Sequence, residues 1–132
     1  WIGRLSASGE RDVGVLALQE GAPVGFGFAV RDEDERWGSM LDNLHALPEH
    51  AGRGLGTSLM RELVTQLPET PKATGLRLWV YEANADARRF YERLGAVRLH
   101  AEVVATAGGG RARALVYGWP TMEALQRALA LK

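Results

Sequence analysis

Alternating hydrophobic and small residues in the first third of the chain predict three consecutive β-strands. The first covers Val13 to Gln19, which is rich in valine and leucine and is followed by the turn signal Gly21-Ala22-Pro23. The second covers Val24 to Arg31, and the third runs from about Trp37 to Leu47. The acidic segment Asp32 to Glu35 between them is interpreted as a solvated turn rather than as an attractor of cationic substrates. Together the three strands predict an antiparallel meander.

The second strand has one face made of very small residues. Side chains alternate across a strand, so its positions divide into two sets. The larger set is Val24, Phe26, Phe28 and Val30, and the smaller set is Gly25, Gly27 and Ala29. A face this small predicts that another part of the molecule packs very close to the backbone there.

The spacing of hydrophobic residues becomes helical after Pro48. Proline has no N–H to donate to a neighbouring strand, so Pro48 ends the third strand. A glycine-rich turn from Gly52 to Gly56 follows. Leucines then recur at intervals of four, at Leu55, Leu59, Leu63 and Leu67. This spacing gives one hydrophobic face and predicts a helix that ends at Pro68.

One more strand and a second helix follow. The strand is predicted at Leu76 to Tyr81, where hydrophobic residues dominate. The helix runs from about Ala85 to Leu94. Asn84 is a suitable N-cap because its side chain can accept a hydrogen bond from the first turn, and Gly95 occupies the C-terminal stop position.

The chain ends with a predicted hairpin and a short helix. Strands at Ala96 to Ala105 and Arg111 to Trp119 flank three consecutive glycines, and the last helix begins at Pro120-Thr121. The complete order is three strands, a helix, a strand, a helix, two strands and a helix. This order predicts an α/β (α+β) fold with a mixed, largely antiparallel central sheet flanked by helices.

Composition narrows the class of protein. The 132 residues suffice for a single domain, residues 1–132, and 16 basic against 16 acidic residues give a formal net charge of zero. Nucleic-acid-binding proteins usually carry a basic surplus, so no nucleic-acid partner is expected. The chain has no cysteine, and His45, His50 and His100 lack the spacing of a zinc site, so no metal is expected.

Targeting and membrane signals are not visible in the sequence. No apolar run approaches about 18 residues, and no charged segment followed by an apolar core opens the chain. We therefore expect a cytoplasmic protein without a membrane partner. Trp1 to Leu5 look like the tail of an element whose start is absent, which predicts an N-terminally incomplete domain.

The glycine-rich turn is the first candidate for chemistry. A helix begins with N–H groups that lack partners, and its peptide dipoles make that end positive. Glycines let the backbone approach a ligand closely, so Gly52 to Thr57 predict either a phosphate-binding site or simply a tight turn. The Gly-Lys-Ser/Thr ending of a P-loop is missing, and Thr57 stands where a dinucleotide fingerprint needs glycine. Any phosphate would therefore be held mainly by backbone amides.

Two segments resemble the motifs of the GNAT superfamily of N-acetyltransferases. Leu41 to Gly56 resembles the acyl-CoA-binding motif, in which a strand and a proline precede Arg/Gln-x-x-Gly-x-Gly/Ala and a helix. Leu78 to Ala96 resembles the next motif, Leu-x-Val-x-x-x-Asn-x-x-Ala-x-x-Phe-Tyr-x-x-x-Gly-Phe, and departs from it only at Ala96. The resemblance covers nearly the whole chain. It implies acetyl-CoA as co-substrate and the GNAT fold from its second strand onward, without the usual N-terminal strand and two helices.

The resemblance also implies a role for each matched position. The backbone of Leu44, His45 and Ala46 would pair with the pantetheine arm as an added strand, and the Leu44 amide would polarise the thioester carbonyl. The pyrophosphate would be held by the backbone of Gly52, Arg53, Gly54, Leu55, Gly56 and Thr57. Asn84 would bind the pantetheine arm, and Tyr91 would protonate the departing thiolate.

The residues themselves give partial support for the role of Tyr91. Ala87, Phe90 and Leu94 have the spacing of a buried helix stripe, and Tyr91 lies at its edge. At an edge a phenol can keep its ring packed and its hydroxyl free. An ordinary phenol has a pKa of about 10, is protonated at neutral pH and suits an acid. Without the resemblance a structural tyrosine would be the preferred interpretation; with it we favour the acid.

Two positions depart from the family pattern. Ala51 stands where arginine or glutamine is usual, and the nearby Arg53 is a candidate substitute for a phosphate contact. Trp79 stands where several members of the family carry a glutamate that acts as general base. The first departure weakens a phosphate contact, and the second leaves the base unassigned.

The general base is therefore left open among Asp42, His45, Glu82 and water. His45 has the most suitable intrinsic pKa for proton abstraction at pH 7. Asp42 and His45 are separated by an odd number of positions, so strict alternation would place their side chains on opposite faces of the sheet. At most one of them would then face the site directly.

The sequence predicts an N-acetyltransferase that transfers an acetyl group from acetyl-CoA directly to a primary amine. The absence of cysteine agrees with direct transfer, because no acyl-cysteine intermediate can form. We expect the acceptor to be an amine of a small molecule or peptide, and a homodimer formed through the hairpin and last helix. The alternative is a non-catalytic acyl-CoA-binding or regulatory domain. A third hypothesis is a nucleotide-phosphate binder unrelated to CoA.

Overall fold

The computed structural model describes residues 2–5, 12–34, 38–47, 54–67 and 75–130. Their elements in chain order are β1 (Ile2–Leu5), β2 (Asp12–Gln19), β3 (Ala22–Asp34), β4 (Gly38–Ala46), α1 (Leu55–Gln66), β5 (Leu76–Tyr81), α2 (Ala85–Arg93), β6 (Val97–Ala105), β7 (Arg111–Gly118) and α3 (Met122–Ala130). The predicted helices and strands are all present, and β5 has the predicted bounds.

The strands form one sheet in the order β1-β2-β3-β4-β5-β7-β6. Every neighbouring pair is antiparallel except β4 and β5, which run parallel because α1 connects them as a crossover. The mixed, largely antiparallel sheet with flanking helices confirms the predicted fold class.

The structure differs from the predicted strands at the end of β3 and at the start of the chain. The interpretation of the acidic segment as a turn is wrong for Asp32 to Asp34, which form the last part of β3, while Glu35 lies outside the described residues. Pairing of Asp34 with Gly38 of β4 extends the ladder, so backbone pairing overrides the low strand propensity of acidic residues. Near the start of the chain, Ile2–Leu5 form a strand that pairs with β2.

The hydrophobic core lies between one face of the sheet and the helices. α1 packs on β1 to β4 and on α3. The Arg61 guanidinium of α1 donates hydrogen bonds of 3.0 and 3.3 Å to the Leu129 carbonyl of α3. The buried side chains include Val13, Val15, Ala29, Leu41, Leu59, Met60, Leu63, Leu78, Leu115 and Leu125. On the opposite face of the sheet, Phe26, Trp79 and Tyr81 are exposed.

The small face of β3 is the face that meets α1, as the sequence predicts. A Cβ atom on Gly25 would lie 3.1 Å from Leu55 and 3.2 Å from Leu59, and one on Gly27 would lie 2.7 Å from Leu63. The leucine side chains of α1 therefore rest directly on the backbone of β3. This close approach fixes the position of the first turn of α1 relative to β4.

Replacing Gly25 with alanine is expected to destabilise the fold by about 2 kcal/mol, and thermal unfolding measures the loss. The new Cβ would lie 2.9 Å from the backbone carbonyl oxygen of His45, which cannot move unless β4 moves. Gly108→Ala is the matched control, because its Cβ meets no atom within 4 Å. Both substitutions change the entropy of the unfolded chain alike. Equal melting temperatures for the two variants would contradict the close packing.

Candidate active site

A gap opens between β4 and β5 where their pairing ends. The two parallel strands are paired only from Ser39/Leu76 to Leu41/Leu78, although β4 continues to Ala46 and β5 to Tyr81. Two clefts meet at this gap. The helix-side cleft, about 920 Å³, lies between the end of β4, the first turn of α1 and α2. The strand-side cleft, about 540 Å³, is lined mainly by β4, β5, β6 and the start of α2.

A β-bulge at Asp42 changes which side chains of β4 face the gap. Phe28 of β3 pairs with Asn43, but the next residue, Ala29, pairs with Leu41, so Asp42 is an extra residue in the strand. Strict alternation across residues 42 to 45 is therefore broken, and the parity argument that separated Asp42 from His45 fails. The side chains of Asp42 and Asn43 both line the strand-side cleft.

Beyond the bulge, β4 presents free backbone groups to the gap. The N–H of Leu47 donates to the Val24 carbonyl of β3 at 2.9 Å. Successive residues of a strand direct their N–H groups to opposite edges, so the N–H groups of Leu44 and Ala46 point away from β3 and toward the gap. The same alternation places the backbone of His45 in the ladder with β3. His45 borders the helix-side cleft, but its ring lies with that of its cross-strand partner Phe26, 5.6 Å away, on the face of the sheet opposite α1.

The first turn of α1 forms the opposite wall of the helix-side cleft. Gly54 is the N-cap in a left-handed conformation, with φ of 78°, and makes no side-chain capping bond. The first turn contains no acidic residue, so its N–H groups and positive dipole end are available to an anion. Gly54, Gly56 and Thr57 line the cleft, and Leu55 packs toward β3. Gly52 and Arg53 lie outside the described residues.

Asn84 caps α2, as predicted. Its side-chain oxygen accepts a 3.3 Å hydrogen bond from the Ala87 N–H, and its own N–H donates to the Tyr81 carbonyl at 2.9 Å. Asn84 lines the strand-side cleft at the point where β5 ends. The cap uses only the side-chain oxygen of Asn84, so its side-chain nitrogen can still donate a hydrogen bond to a ligand.

A polar network sets the orientation of α2. The Arg88 guanidinium donates to the Tyr117 hydroxyl at 3.2 Å and to the Glu82 carbonyl at 3.0 Å. The Tyr117 hydroxyl in turn donates to the Glu92 carboxylate. The hydrogen bond to Tyr117 raises the pKa of the Arg88 guanidinium. The network ties α2 to β7 and to the turn after β5, and so fixes the position of Tyr91.

Tyr91 lies where the two clefts meet. Its side chain, together with Leu44 and Ala87, lines both of them. The ring packs edge-on against Phe90 and Trp119, and the side chain is only 9% exposed. Among the described residues, none forms a hydrogen bond with its hydroxyl. Burial raises the pKa of Tyr91 to about 12.

The predicted helix stripe is only partly correct. Leu94 is buried as expected, but Tyr91 is buried more deeply than Phe90 and Ala87, which are half-buried. Phe90 instead lies over the start of α1, where a Cβ on Gly56 would be 3.2 Å from its ring. Gly56 therefore allows α1 and α2 to approach each other across the helix-side cleft.

The comparison with known proteins identifies the family. Residues 2–96 match the Acetyltransferase (GNAT) family. The chain belongs to the GNAT acetyltransferases. Spermine/spermidine N(1)-acetyltransferase of Bacillus subtilis (strain 168) is 35% identical over 81 residues, which are 58% of this chain and 53% of that protein. The chain thus spans about half the length of the curated relatives it matches.

Solved GNAT structures share the fold. The ribosomal-protein-S18-alanine N-acetyltransferase from Escherichia coli superposes with a TM-score of 0.70 and 28% identity, covering 86% of this chain and 72% of that chain. A Bacillus anthracis acetyltransferase, solved in complex with acetyl coenzyme A, superposes with a TM-score of 0.74 and 16% identity, covering 86% and 64%. At that identity, the second likeness concerns the fold alone.

The candidate bases of this GNAT chain fall in different places. Asp42 lines the strand-side cleft, and the His45 ring lies beside Phe26 on the face of the sheet opposite α1. Glu82 pairs with Arg113 at 3.0 Å and lines neither cleft. Glu102 on β6, which the sequence analysis missed, lines the strand-side cleft and hydrogen-bonds His100 at 3.1 Å. The only sequence signal for Glu102 is its position two residues after His100 on one strand face.

Within residues 2–5, 12–34, 38–47, 54–67 and 75–130, no three histidine or carboxylate side chains are grouped so that they could hold a metal ion. In the same ranges, no helix is long and apolar enough to cross a membrane.

Stability above pH 10 is expected to depend on Tyr91. The pKa of Tyr91 is about 12 in the folded chain and 10.0 for an unperturbed tyrosine. Between these values the unfolded chain loses the proton and the folded chain keeps it, so the free energy of unfolding falls as pH rises. The fall attributable to Tyr91 is about 2–3 kcal/mol by pH 12. Urea unfolding from pH 9 to 11 should show a shallower fall for Tyr91→Phe, and identical slopes would contradict this assignment.

Proposed function

We propose that this GNAT chain transfers an acetyl group from acetyl-CoA directly to a primary amine. One observation carries the proposal: two clefts of different chemistry meet at Tyr91 and Leu44. The helix-side cleft offers a helix N-terminus and free strand amides, which suit the anionic and amide parts of acetyl-CoA. The strand-side cleft offers carboxylates and aromatic rings, which suit an amine.

The helix-side cleft fits acetyl-CoA along its length. The uncapped first turn of α1 provides backbone N–H groups for the pyrophosphate, with Gly54, Gly56 and Thr57 on the cleft wall. The N–H groups of Leu44 and Ala46 can pair with the amides of the pantetheine arm as an added strand. We extend the phosphate contacts to Gly52 and Arg53, which precede this turn. We assign the amide nitrogen of Asn84, which lines the strand-side cleft, to the reactive end of the arm, where the two clefts meet.

The proposed reaction uses the groups at the junction of the clefts. The nitrogen of a neutral amine attacks the thioester carbonyl carbon and forms a C–N bond. The carbonyl oxygen becomes an oxyanion that accepts a hydrogen bond from the Leu44 N–H. When the C–S bond breaks, the thiolate takes the proton of the Tyr91 hydroxyl, because a phenol is protonated at neutral pH. The amine proton leaves to the base, for which Asp42, His45 and water are candidates from the sequence and Glu102 is a further candidate from the structure, and Tyr91 is reprotonated from solvent.

The relatives suggest two classes of acceptor. One relative is named for spermine and spermidine and one structural neighbour for the alanine of a ribosomal protein, so both small amines and peptide N-termini are candidates here. We propose that the reaction takes place in the cytoplasm, as the sequence led us to expect. A homodimer through the β6–β7 hairpin and α3 is a proposal that sedimentation can test.

Calorimetric titration tests the cofactor, and thiol release tests the transfer. Acetyl-CoA and CoA are expected to bind with micromolar Kd, and ATP at least about tenfold more weakly, because ATP lacks the arm that pairs with β4. Thiol release on addition of amines then separates an enzyme from a non-catalytic acyl-CoA-binding domain. Stronger binding of ATP than of CoA would overturn the proposal in favour of a nucleotide-phosphate binder.

A further inference from the structure

We infer that the strand-side cleft selects a linear polyamine, whose terminal amine reacts at Tyr91 while its distal cationic nitrogens lie over the β5 aromatic rings and reach Glu102. This inference rests on the proposed acetyl transfer and names its acceptor class. It is carried by the charge, the apolar floor and the length of the cleft.

The cleft is negatively charged. Asp42 of β4 and Glu102 of β6 line it, and no arginine or lysine does so among the residues that the structure describes. Glu102 is held in place by His100, whose ring lies edge-on to Trp79 at 6.5 Å. A carboxylate has four acceptor positions, so Glu102 can bind an ammonium group while keeping its hydrogen bond to His100.

The floor of the cleft combines aromatic and aliphatic surface. Trp79 and Tyr81 of β5 are 44% and 49% exposed, although both are large hydrophobic residues. Both rings line the cleft, beside Val104 and Ala114. Ammonium groups are attracted to the faces of tryptophan and tyrosine rings, and methylene groups pack on apolar surface. A flexible chain that alternates methylene segments with cationic nitrogens matches this floor.

The two carboxylates are too far apart to hold one ammonium group. β4 and β6 are separated by three steps in the sheet, β4 to β5, β5 to β7 and β7 to β6. At a spacing of about 4.8 Å per strand, the two strand backbones lie roughly 14 Å apart, more than the two side chains together can span. An ammonium group reaches only about 3 Å to each acceptor. A ligand that satisfies both carboxylates therefore carries at least two cationic nitrogens on a chain several bonds long.

The Tyr91 hydroxyl defines the reacting end of the cleft. The Tyr91 hydroxyl lies at the junction with the helix-side cleft and forms no hydrogen bond with the described residues. Asp42 and Asn84 line the cleft from the two sides of the β4–β5 gap. A terminal amine placed there adjoins the proposed thioester position, and the rest of the chain extends over β5 toward β6.

Acceptor competition tests the inference. Thiol release is measured with spermidine, with n-butylamine as a monoamine of similar aliphatic character, and with a tripeptide that begins with alanine and has no charged side chain. We expect kcat/KM for spermidine to exceed that for n-butylamine by at least about 30-fold, which corresponds to about 2 kcal/mol. The preference should shrink as ionic strength rises, because salt screens the charges.

Two variants separate the cleft from general charge effects. Glu102→Gln removes one charge while keeping the shape, and is expected to raise KM for spermidine about tenfold and to change KM for n-butylamine less than threefold. Glu123→Gln, on the exposed face of α3, removes the same charge away from the cleft and should change neither. An equal rise in KM for both amines in Glu102→Gln would overturn the inference. So would a higher kcat/KM for the peptide or for n-butylamine than for spermidine.

A binding experiment keeps the inference separate from the proposed function. Spermidine is titrated into the CoA-bound chain, where no acetyl group is available and no turnover occurs. Spermidine binding that weakens about tenfold in Glu102→Gln supports the polyamine site. If such binding is found but no amine gives thiol release, the proposed acetyl transfer fails and the polyamine site stands. Absence of spermidine binding to a chain that does bind CoA overturns the polyamine site alone.

Discussion

Replacing Tyr91 with phenylalanine is expected to lower kcat about 100-fold and to change the Kd of acetyl-CoA less than about threefold. The hydroxyl is the proposed proton donor to the thiolate, and a positioned general acid contributes roughly 100-fold or more. The ring packing against Phe90 and Trp119 is the same for both residues, so the cleft keeps its shape. Steady-state thiol release and calorimetric titration measure the two quantities.

Tyr117→Phe is the matched control for this experiment. The Tyr117 hydroxyl bonds Arg88 and Glu92, so its loss leaves two polar groups with a missing partner and should lower the melting temperature. The Tyr91 hydroxyl has no such partner in the described part of the chain, so Tyr91→Phe should melt at the wild-type temperature or higher. A kcat for Tyr91→Phe within about threefold of wild type would exclude Tyr91 as the acid.

The parts of the fold that could be predicted follow from local patterns. The leucine repeat from Leu55 to Leu67 predicted α1, because a single hydrophobic face with helical spacing is enough to indicate a helix. The alternation of Gly25, Gly27 and Ala29 with larger residues predicted a close contact on β3, and α1 makes that contact. Asn84 was recognised as a cap because its side chain bonds a backbone N–H only three residues away. Each of these features depends on neighbours in sequence.

The parts that could not be predicted depend on pairing between distant segments. The bulge at Asp42 is defined only by its partner strand β3, so the sequence pattern of β4 alone suggested the wrong parity. Asp32 to Asp34 look like a turn, but β4 continues the ladder beside them. Glu102 joins the cleft through two successive pairings, β5 with β7 and β7 with β6. The acceptor side of the site is built from such long-range pairings, and Glu102, the residue that was missed, lies there.

The same distinction explains why the cofactor side was easier to interpret. One strand–turn–helix segment contains the residues that line the helix-side cleft at this end, namely Leu44, Gly54, Gly56 and Thr57. Their proposed role depends on backbone N–H groups and on the start of α1, which the sequence indicates directly. A change that affects only this start of α1 should therefore alter cofactor binding without altering the acceptor cleft.

Thr57→Asp is expected to weaken acetyl-CoA binding about 30-fold without destabilising the fold. Thr57 lies in the first turn of α1 and lines the helix-side cleft. A carboxylate at this position is favourable for the helix dipole, by up to about 1 kcal/mol, and should maintain or raise the melting temperature. It also repels the phosphates; two charges about 8 Å apart at an effective dielectric constant of about 20 interact by about 2 kcal/mol, or about 30-fold in Kd.

Thr57→Asn is the control, because asparagine has the shape of aspartate without its charge. Its Kd for acetyl-CoA should stay within about threefold of wild type, and raising the salt concentration should recover part of the affinity lost in Thr57→Asp. The binding of spermidine to the acceptor cleft should change in neither variant. Unchanged acetyl-CoA affinity in Thr57→Asp would place the phosphates away from the N-terminus of α1, because no anion bound at that turn could be indifferent to an added carboxylate.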